Sequence, residues 1–327
     1  MPSIRVSIGT AGVLGLAQVP MAIAPTTAYL MLGERCLMNC AFCAQARHSV
    51  ADDSALSRVT WPAFPLREVC DRLHAAERQK CLHRVCIQVT AGQKSYHLVL
   101  GAIQQIKQAT QLPIDAAILP AHIDQVGELF AAGLDHVGFG LDAACERIFR
   151  TTKGQHWQHR LDLIAEAATR FPGHIAIHLI VGLGESEKEM VERVVWAHTL
   201  GIEVGLFAFT PVRGTPLADR SQPPLAQYRR MQAARWLVVN HEAQMKAFIF
   251  DEQGTLTAIR LAGWPALLAD GSAFRTSGCP DCNRPFYNER PGGTTYNYAK
   301  PLSLEQGRQA IHEMKLIDLD SDAWDER

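Results

Sequence analysis

The chain has 327 residues, of which 47% are hydrophobic, and this suffices for one large α/β barrel or for two ordinary domains. Lysine and arginine together number 32 against 33 acidic residues, which gives a formal net charge of −1. This balance offers no electrostatic surface for nucleic acid or for an anionic membrane, so neither is expected as a partner. No stretch of sequence reaches the roughly 18 uninterrupted apolar residues of a membrane helix.

The start of the chain differs from a secretory leader. Residues 1–25 are mildly hydrophobic, but Arg5 is the only early basic residue, and Pro20 and Pro25 interrupt the stretch. A signal peptide combines a basic start with an unbroken apolar segment. We therefore expect residues 1–25 to form an N-terminal cover segment packed on the main domain.

From residue 26 onward, predicted strands alternate with predicted helices. The strands are expected at 26–32, 84–90, 113–118, 136–141, 174–181, 203–210 and 247–250. Helical periodicity fills the intervals at 66–76, 98–108, 123–132, 157–170, 187–200 and 225–242. Such alternation is typical of βα units and of a parallel sheet.

Six or seven βα units favour a partial or full TIM-type (β/α) barrel. A doubly wound sheet is the alternative, but no Gly-rich phosphate-binding turn follows the first predicted strand. We therefore predict a barrel over residues 26–260 and a C-terminal extension over residues 261–327. In such barrels the chemistry lies at the C-terminal ends of the strands.

Three cysteines after the first predicted strand carry the strongest chemical signal. Cys36, Cys40 and Cys43 follow the spacing C-x3-C-x2-C. Three thiolates at this spacing can hold three irons of a 4Fe–4S cluster and leave the fourth iron open. The alternatives are a zinc knuckle or loop cysteines without function, but zinc favours paired C-x2-C units, and no second pair follows within roughly 20 residues. Because an open cluster needs a reducing compartment, we expect the protein in the cytoplasm.

The same stretch resembles the radical S-adenosylmethionine (SAM) superfamily. Its continuation, Ala44-Gln45-Ala46-Arg47, is similar to the biotin-synthase branch of that family. The resemblance implies that the open iron binds the amino and carboxylate groups of SAM, and that Phe42 borders the adenine. It also implies an electron donor of ferredoxin or flavodoxin type, whose electron leads to cleavage of SAM and a 5′-deoxyadenosyl radical.

Three further sites match SAM-binding positions of the family. They lie at the end of the second predicted strand, just after the fourth predicted strand and on the helix that follows it. Thr90 and Gly92 end the second predicted strand, where the family receives the SAM amino group, although an ordinary turn explains them equally well. Asp142 matches the acid that holds the ribose hydroxyls, with a helix N-cap as the alternative. Arg160 matches an arginine that reaches the SAM carboxylate, with a solvated helix face as the alternative.

Two later strand ends match the family as well. Residues 180–185 fit its I-x-G-x-x-E segment, which implies that Ile180 rests against adenine and that Gly182 lets the backbone pass close to the ring. Pro211 opens a P-x-x-G-T-P-L turn similar to the one that completes the SAM pocket. A Pro/Gly-rich turn also exists without a ligand, so this alternative stays open.

The C-terminal third contains a second C-x2-C pair, Cys279 and Cys282, on a turn-rich segment. Two thiols at that spacing can bind a metal or a second 4Fe–4S cluster. Further ligands would come from Cys70, Cys81, Cys86 or Cys145. The alternative is a reduced pair without metal, with the other cysteines as small hydrophobic residues.

Biotin synthase itself is a poor match, because its second, smaller cluster uses thiols from several strands. Cys86 occupies the corresponding position on the second predicted strand, but residues 115–118 and 176–178 contain no cysteine. An auxiliary cluster in this chain would have to be built differently.

Three functions remain. The segment 279–293 resembles the two-protein lipoyl synthases, which implies sulfur insertion into an octanoyl chain on a carrier protein, an auxiliary cluster as sulfur donor and a sister radical SAM protein. The second function is a radical enzyme on a small substrate, related to methylornithine synthase or to the hydrogenase-maturation enzyme. The third is a non-catalytic iron–sulfur protein, which predicts no SAM site and is disfavoured by Asp142 and by residues 180–185 and 211–217.

Overall fold

Parallel strands that follow one another in both sequence and space form the centre of the molecule. The structure is a computed structural model that describes residues 2–289 and 292–316. Within these ranges an eight-stranded sheet has the order β10-β9-β8-β7-β6-β2-β1-β5. Its parallel strands are β2 (Thr27–Leu32), β6 (Arg84–Val89), β7 (Ile114–Ala117), β8 (His136–Asp142), β9 (Ile175–Val181) and β10 (Glu203–Ala208).

Helices pack against the outside of the sheet, and those before α8 connect its parallel strands. They are α2 (Leu66–Arg78), α3 (Ser95–Ala109), α4 (Ile123–Ala131), α5 (Glu146–Thr152), α6 (Trp157–Arg170), α7 (Glu187–Thr199) and α8 (Leu225–His241). Helix α7 begins at a capping box, in which the Ser186 hydroxyl accepts from the Glu189 N–H while the Glu189 carboxylate accepts from the Ser186 N–H. The predicted α/β fold, a partial TIM-type barrel, is confirmed.

One predicted strand is wrong as a barrel strand. Residues 248–250 form β11 (Phe248–Phe250), which pairs antiparallel with β12 (Leu256–Ile259) in a separate hairpin. In the described part of the chain the barrel therefore has six parallel strands rather than seven. Periodicity identified a strand here, but it contains no information about the partner of that strand.

The N-terminal residues contribute a strand to the sheet. Strand β1 (Ser3–Val6) pairs antiparallel with β2 on one side and with β5 (Ala63–Pro65) on the other. Helix α1 (Ile8–Val13) follows, and a short hairpin is formed by β3 (Ala55–Leu56) and β4 (Val59–Thr60). The predicted division at residues 25 and 260 stays a prediction.

After β12 the described residues form the short helices α9 (Trp264–Leu268) and α10 (Leu304–Glu313), with a 3-10 turn at Ser272–Phe274 between them. Another 3-10 turn, Met245–Ala247, precedes β11. The end of the predicted C-terminal extension, residues 317–327, lies outside the described residues, as do Met1, Arg290 and Pro291. No helix in the described ranges is long and apolar enough to cross a bilayer.

A segment of the extension, residues 277–288, spans the gap that six strands leave open, and we call it the strap. On one side, the Ser277 hydroxyl accepts from the Leu206 N–H in β10 at 2.9 Å. On the other side, Asn283 accepts from the Thr26 N–H at 3.0 Å and donates to the Ala24 carbonyl at 2.9 Å. These bonds satisfy backbone groups of the edge strand β10 and of the residues just before β2, so the strap connects the last parallel strand to the first.

Candidate active site

A cavity of about 1010 Å³ opens at the C-terminal ends of the parallel strands. Both groups of cysteines from the sequence line it, namely Cys36, Cys40 and Cys43 of the loop after β2 and Cys279 and Cys282 of the strap. This is the end of the barrel at which chemistry was expected.

Arg35 holds the cysteine loop in shape. Its guanidinium donates to the carbonyls of Ala44, Ala46 and Ser49 at 3.3, 3.1 and 2.9 Å. A planar guanidinium can satisfy several inward-facing carbonyls at once. The curved loop that results presents its three thiols to the cavity.

Burial favours the protonated form of two of the loop thiols. Burial raises the pKa of Cys43 to about 12, and the neighbouring Cys40 thiol adds to the effect. Burial also raises the pKa of Cys40. Bound iron reverses this preference, because a coordinating thiol loses its proton. In the described ranges no three His, Cys, Asp or Glu side chains are gathered closely enough for a single metal ion. A four-iron cluster is a larger group and spreads its thiolate ligands over several irons.

Four of the predicted SAM-binding residues line the cavity together with the loop thiols. They are Phe42, Asp142, Ile180 and Pro211, from the cysteine loop and from the ends of β8, β9 and β10. The arrangement combines a carboxylate with apolar side chains, which suits the ribose and the adenine of a nucleoside.

Asp142 faces the cavity with its carboxylate paired to a lysine. The Lys153 ammonium lies 2.5 Å from Asp142 Oδ2 and also donates to the Gly140 carbonyl. Asp142 has a φ of +62° at a register shift between β8 and β9, which turns its side chain inward. The alternative role as a helix N-cap is wrong, since α5 begins only at Glu146 with Cys145 at the N-cap position.

Lys153 is a site residue that sequence reasoning missed, because a lone lysine at a helix end has no distinguishing pattern. Burial opposes its charge, but the Asp142 carboxylate and the Cys40 thiol outweigh burial and raise the pKa of Lys153. It therefore carries a fixed positive charge between the cysteine loop and the end of β8.

The other four predicted SAM-binding residues are not among the described residues that line the cavity. Thr90 donates its hydroxyl to the Glu34 carbonyl at 2.7 Å, and Gly92 packs against Ser95, where a Cβ would meet the hydroxyl at 2.7 Å. Both positions shape the base of the cysteine loop. Their SAM contacts remain predictions.

Gly182 and Arg160 are likewise engaged with protein. The Gly182 N–H donates to the Glu185 carboxylate at 2.6 Å, and its φ of +104° favours glycine. Arg160 donates to the Pro120 carbonyl at 3.0 Å, and burial lowers its pKa. To contact SAM, the Arg160 guanidinium would have to reach beyond the Pro120 carbonyl to which it now donates.

A second set of thiols lies deeper in the barrel. Cys86 of β6 lines the cavity with Cys279 and Cys282 of the strap. Burial raises the pKa of Cys279, and the Asp115 carboxylate and the Cys86 and Cys282 thiols add to the effect, so Cys279 lies near both of the other thiols. We call Cys86, Cys279 and Cys282 the inner thiols.

The remaining candidate ligands lie elsewhere. Cys70 is buried in the core, and Cys81 is exposed. Cys145 stands at the start of α5, where it interacts with Glu189, and is not among the described residues lining the cavity. Of the four thiols that the sequence left open, the structure brings only Cys86 to the strap.

Tyr287 lies near both sets of thiols. Burial raises the pKa of Tyr287, and the thiols of Cys43 and Cys86 both raise it further. The Tyr287 ring stands edge-on to Phe207 at 5.6 Å, and Phe207 in turn meets His178 at 5.3 Å. All three side chains line the same cavity as the thiols.

Comparison with known proteins identifies the family. The sequence profile of the radical SAM superfamily matches residues 30–197. The chain belongs to the radical SAM superfamily. Its cofactors are therefore a 4Fe–4S cluster and SAM, and the loop thiols with the four cavity-lining residues form a donor set that suits them.

Curated relatives support the biotin-synthase-like branch. Biotin synthase of Thermus thermophilus is 28% identical over 218 residues, which cover 65% of this chain and 64% of that protein. Biotin synthase of Rhizobium rhizogenes is 25% identical over 274 residues, which cover 76% of this chain and 81% of that protein. The match to the Thermus relative thus leaves more than a third of its length uncovered.

Solved structures of radical SAM enzymes share the fold. Methylornithine synthase superposes with a TM-score of 0.50 at 15% identity, covering 64% of this chain and 62% of that chain. HydG, a maturase of the FeFe-hydrogenase, gives a TM-score of 0.51 at 13% identity, covering 65% of this chain and 50% of that chain. At these identities the likeness concerns the barrel alone.

Proposed function

We propose that this radical SAM enzyme inserts sulfur into an unactivated aliphatic chain, in the manner of a lipoyl synthase acting on an octanoyl group. The observation that carries the proposal is the convergence of the inner thiols Cys86, Cys279 and Cys282 on the cavity that also contains the loop thiols. Two separate sets of three thiols in one cavity suit a reaction that needs a radical source and a sulfur source.

The donor chemistry of the inner thiols supports a second iron–sulfur cluster. Cysteine thiolates are the usual protein ligands of such clusters, and three of them leave one position for a further ligand. Structural zinc would need four closed ligands, and the described surroundings of these thiols offer aromatic rings and a guanidinium rather than a fourth thiol or a histidine at bonding distance.

When bound, the open-iron cluster supplies the electron that cleaves SAM, and the auxiliary cluster supplies the sulfur atom. The residues of this chain position the reactants. Asp142 and Ile180 would face SAM, and Phe207, His178 and Tyr287 line the same cavity. The substrate carbon would have to lie between the loop thiols and the inner thiols, since it would lose a hydrogen atom to the SAM-derived radical before it binds sulfur.

The part of the cavity wall that is formed by residues near the N-terminus suits an alkyl chain. Apolar side chains from residues 8–25 and from the β3–β4 hairpin line this part, namely Ile8, Val19, Met21, Ile23, Leu56 and Trp61. A carrier protein with an octanoylated lysine would present its chain there. An electron donor of ferredoxin or flavodoxin type and a sister radical SAM protein complete the set of proposed partners.

The experiment is a single-turnover assay of the reconstituted protein with SAM, dithionite and an octanoyl-lysine peptide. The expected products are 5′-deoxyadenosine and a thiolated peptide, detected by mass spectrometry. The Cys279→Ala/Cys282→Ala variant should still release 5′-deoxyadenosine but attach no sulfur, because the loop thiols are intact.

Sulfur attachment by that double variant would overturn the donor role of the inner thiols. A wild-type protein that holds only about four irons, one cluster's worth, would do the same. In either case a small-substrate radical SAM reaction becomes the better description of the site.

A further inference from the structure

We propose that Arg284 and Tyr29 are positioning residues that compensate the negative charge of a cluster on the inner thiols and set its reduction potential. The inference rests on the auxiliary cluster of the proposed function, but not on the identity of its substrate. Neither residue was singled out by the sequence, because Tyr29 lies within an ordinary strand and Arg284 within a loop.

Arg284 enters the barrel on the strap, two positions after Cys282. Its guanidinium lies over the Phe207 ring at 3.8 Å and donates to the Ser277 carbonyl at 2.5 Å. These contacts fix the plane of the guanidinium beside the cavity, which it lines together with the inner thiols.

No carboxylate in the described part of the chain forms an ion pair with Arg284. Two other buried arginines have such partners: Arg84 pairs with Asp115 at 2.5 Å, and Arg229 with Glu313 at 2.8 Å. A guanidinium is always charged, and burying it without an anion is costly. Once cofactor and substrate displace water from the cavity, the anion nearest to Arg284 is the thiolate set itself.

Tyr29 provides the second contact. Its hydroxyl lies 3.1 Å from Cys282 Sγ, and it also accepts from the Arg284 N–H at 3.1 Å. Because the Tyr29 oxygen accepts from the backbone N–H of Arg284, the Tyr29 hydroxyl proton is free to point at Cys282 Sγ. The strand register places Tyr29 directly beside Cys86 of β6, so Tyr29 is a neighbour of a second inner thiol in the sheet.

Together these contacts supply a positive charge and a hydrogen bond to the sulfurs. Net charge and hydrogen bonds to sulfur are two of the factors that set the potential of an iron–sulfur cluster. Both stabilise the more negative, reduced state. Removing either one should therefore lower the reduction potential.

The test reads the auxiliary cluster alone, in full-length protein carrying Cys36→Ala, Cys40→Ala and Cys43→Ala. An EPR-monitored redox titration compares this background with added Arg284→Met, Arg284→Lys and Tyr29→Phe. Arg284→Met is expected to shift the reduction equilibrium by about tenfold or more toward the oxidised form, which is about 59 mV for one electron. Tyr29→Phe should shift it in the same direction by less, and Arg284→Lys, which keeps the charge, should stay nearest to the background.

Two matched controls remove similar groups elsewhere. Arg193→Met deletes a guanidinium stacked between Trp157 and Trp196, and Tyr296→Phe deletes a buried hydroxyl that donates to the Pro223 carbonyl. Neither residue is among the described residues lining the cavity, and the potential should not move.

Unshifted potentials in both Arg284→Met and Tyr29→Phe, with auxiliary iron retained, would overturn the proposal. If Arg284→Met loses its auxiliary iron, Tyr29→Phe decides: a shift as large in Tyr296→Phe as in Tyr29→Phe also overturns the proposal. Absence of auxiliary iron in the background protein is a different result, because it removes the auxiliary cluster and with it the proposed function.

Discussion

At the scale of single residues, the pair Asp142 and Lys153 shows how the fold equips the SAM side of the cavity. The carboxylate is turned inward by a left-handed backbone at a register shift, and the lysine from the end of α5 holds it there. One carboxylate oxygen accepts from the lysine, so the other oxygen is available to a ligand.

The first prediction concerns Asp142→Asn. A hydrogen bond to a charged group contributes roughly 1.5–3 kcal/mol, so SAM binding should weaken by about tenfold or more while the open cluster is retained. Isothermal titration of cluster-loaded protein with SAM measures the change. The control is Asp142→Asn combined with Lys153→Met, which also removes the unpaired ammonium. Wild-type SAM affinity in that double variant would mean that Asp142 serves only to neutralise Lys153.

The second prediction concerns pH and His178. Glycines at positions 138 and 205 make room for the imidazole, and burial lowers its pKa to about 4. In the unfolded chain a histidine takes up its proton near pH 6.5, so between pH 6.5 and 4 the unfolded state binds more protons. The free energy of unfolding should fall as pH falls through this window.

His178→Gln removes this contribution to the pH dependence of the free energy of unfolding. Relative to the variant, the cofactor-free wild type should lose roughly 2 kcal/mol of unfolding free energy between pH 7 and pH 4.5. Urea denaturation at a series of pH values measures the difference. Parallel curves for the two proteins would show that His178 is solvated in the folded state.

At the scale of elements, the strap is the feature that distinguishes this barrel. It hydrogen-bonds to β10 on one side and to the residues before β2 on the other, and it brings Cys279, Cys282 and Arg284 inside. Gly278 is where the strap passes β10. Its φ is +106°, and a Cβ there would lie 3.3 Å from the Gly205 Cα.

The third prediction is that Gly278→Ala displaces the strap. A strained backbone costs on the order of 1–3 kcal/mol, and contact with Gly205 adds to it, so stability and auxiliary iron should both fall. Iron analysis and urea denaturation provide the two measurements. The matched control is Gly154→Ala, where φ is +123° and no heavy atom would lie within 4 Å of the new Cβ. That variant should lose stability but keep its iron, and equal iron loss in both would mean that close passage at Gly205 does not matter.

At the scale of the whole molecule, one cavity contains two thiol sets from opposite ends of the chain. The loop thiols come from residues 36–43, and the inner thiols combine β6 with the strap. Tyr287, Phe207 and His178 line the same cavity. The two sets share no cysteine, so each should load iron without the other.

The fourth prediction follows from that independence. Reconstituted wild-type protein should hold about eight irons, the sum of two four-iron clusters. Cys36→Ala/Cys40→Ala/Cys43→Ala should keep about four and lose all cleavage of SAM, while Cys86→Ala/Cys279→Ala/Cys282→Ala should keep about four and still cleave SAM. Release of 5′-deoxyadenosine by the first triple variant would contradict the assignment of the open cluster.

Much of the fold and part of the site were predictable. The alternation of strand-like and helical periodicity in the hydrophobic residues located all six barrel strands. Helix α6 lies at the predicted residues 157–170. The strand at 248–250 was recognised, but its partner was not, because period-two alternation says nothing about which strand lies alongside.

The sequence by itself determined the radical SAM family and grouped the predicted open-cluster ligands, because Cys36, Cys40 and Cys43 are joined by a short loop whose length alone keeps their thiols together. Only the tertiary structure decided that Cys86, rather than Cys70, Cys81 or Cys145, joins the strap thiols. The physical reason is that contacts between residues far apart in sequence depend on strand register and on the gap left by a six-stranded barrel. Lys153, Tyr29 and Arg284 reach the site in the same way, through packing that no local pattern encodes.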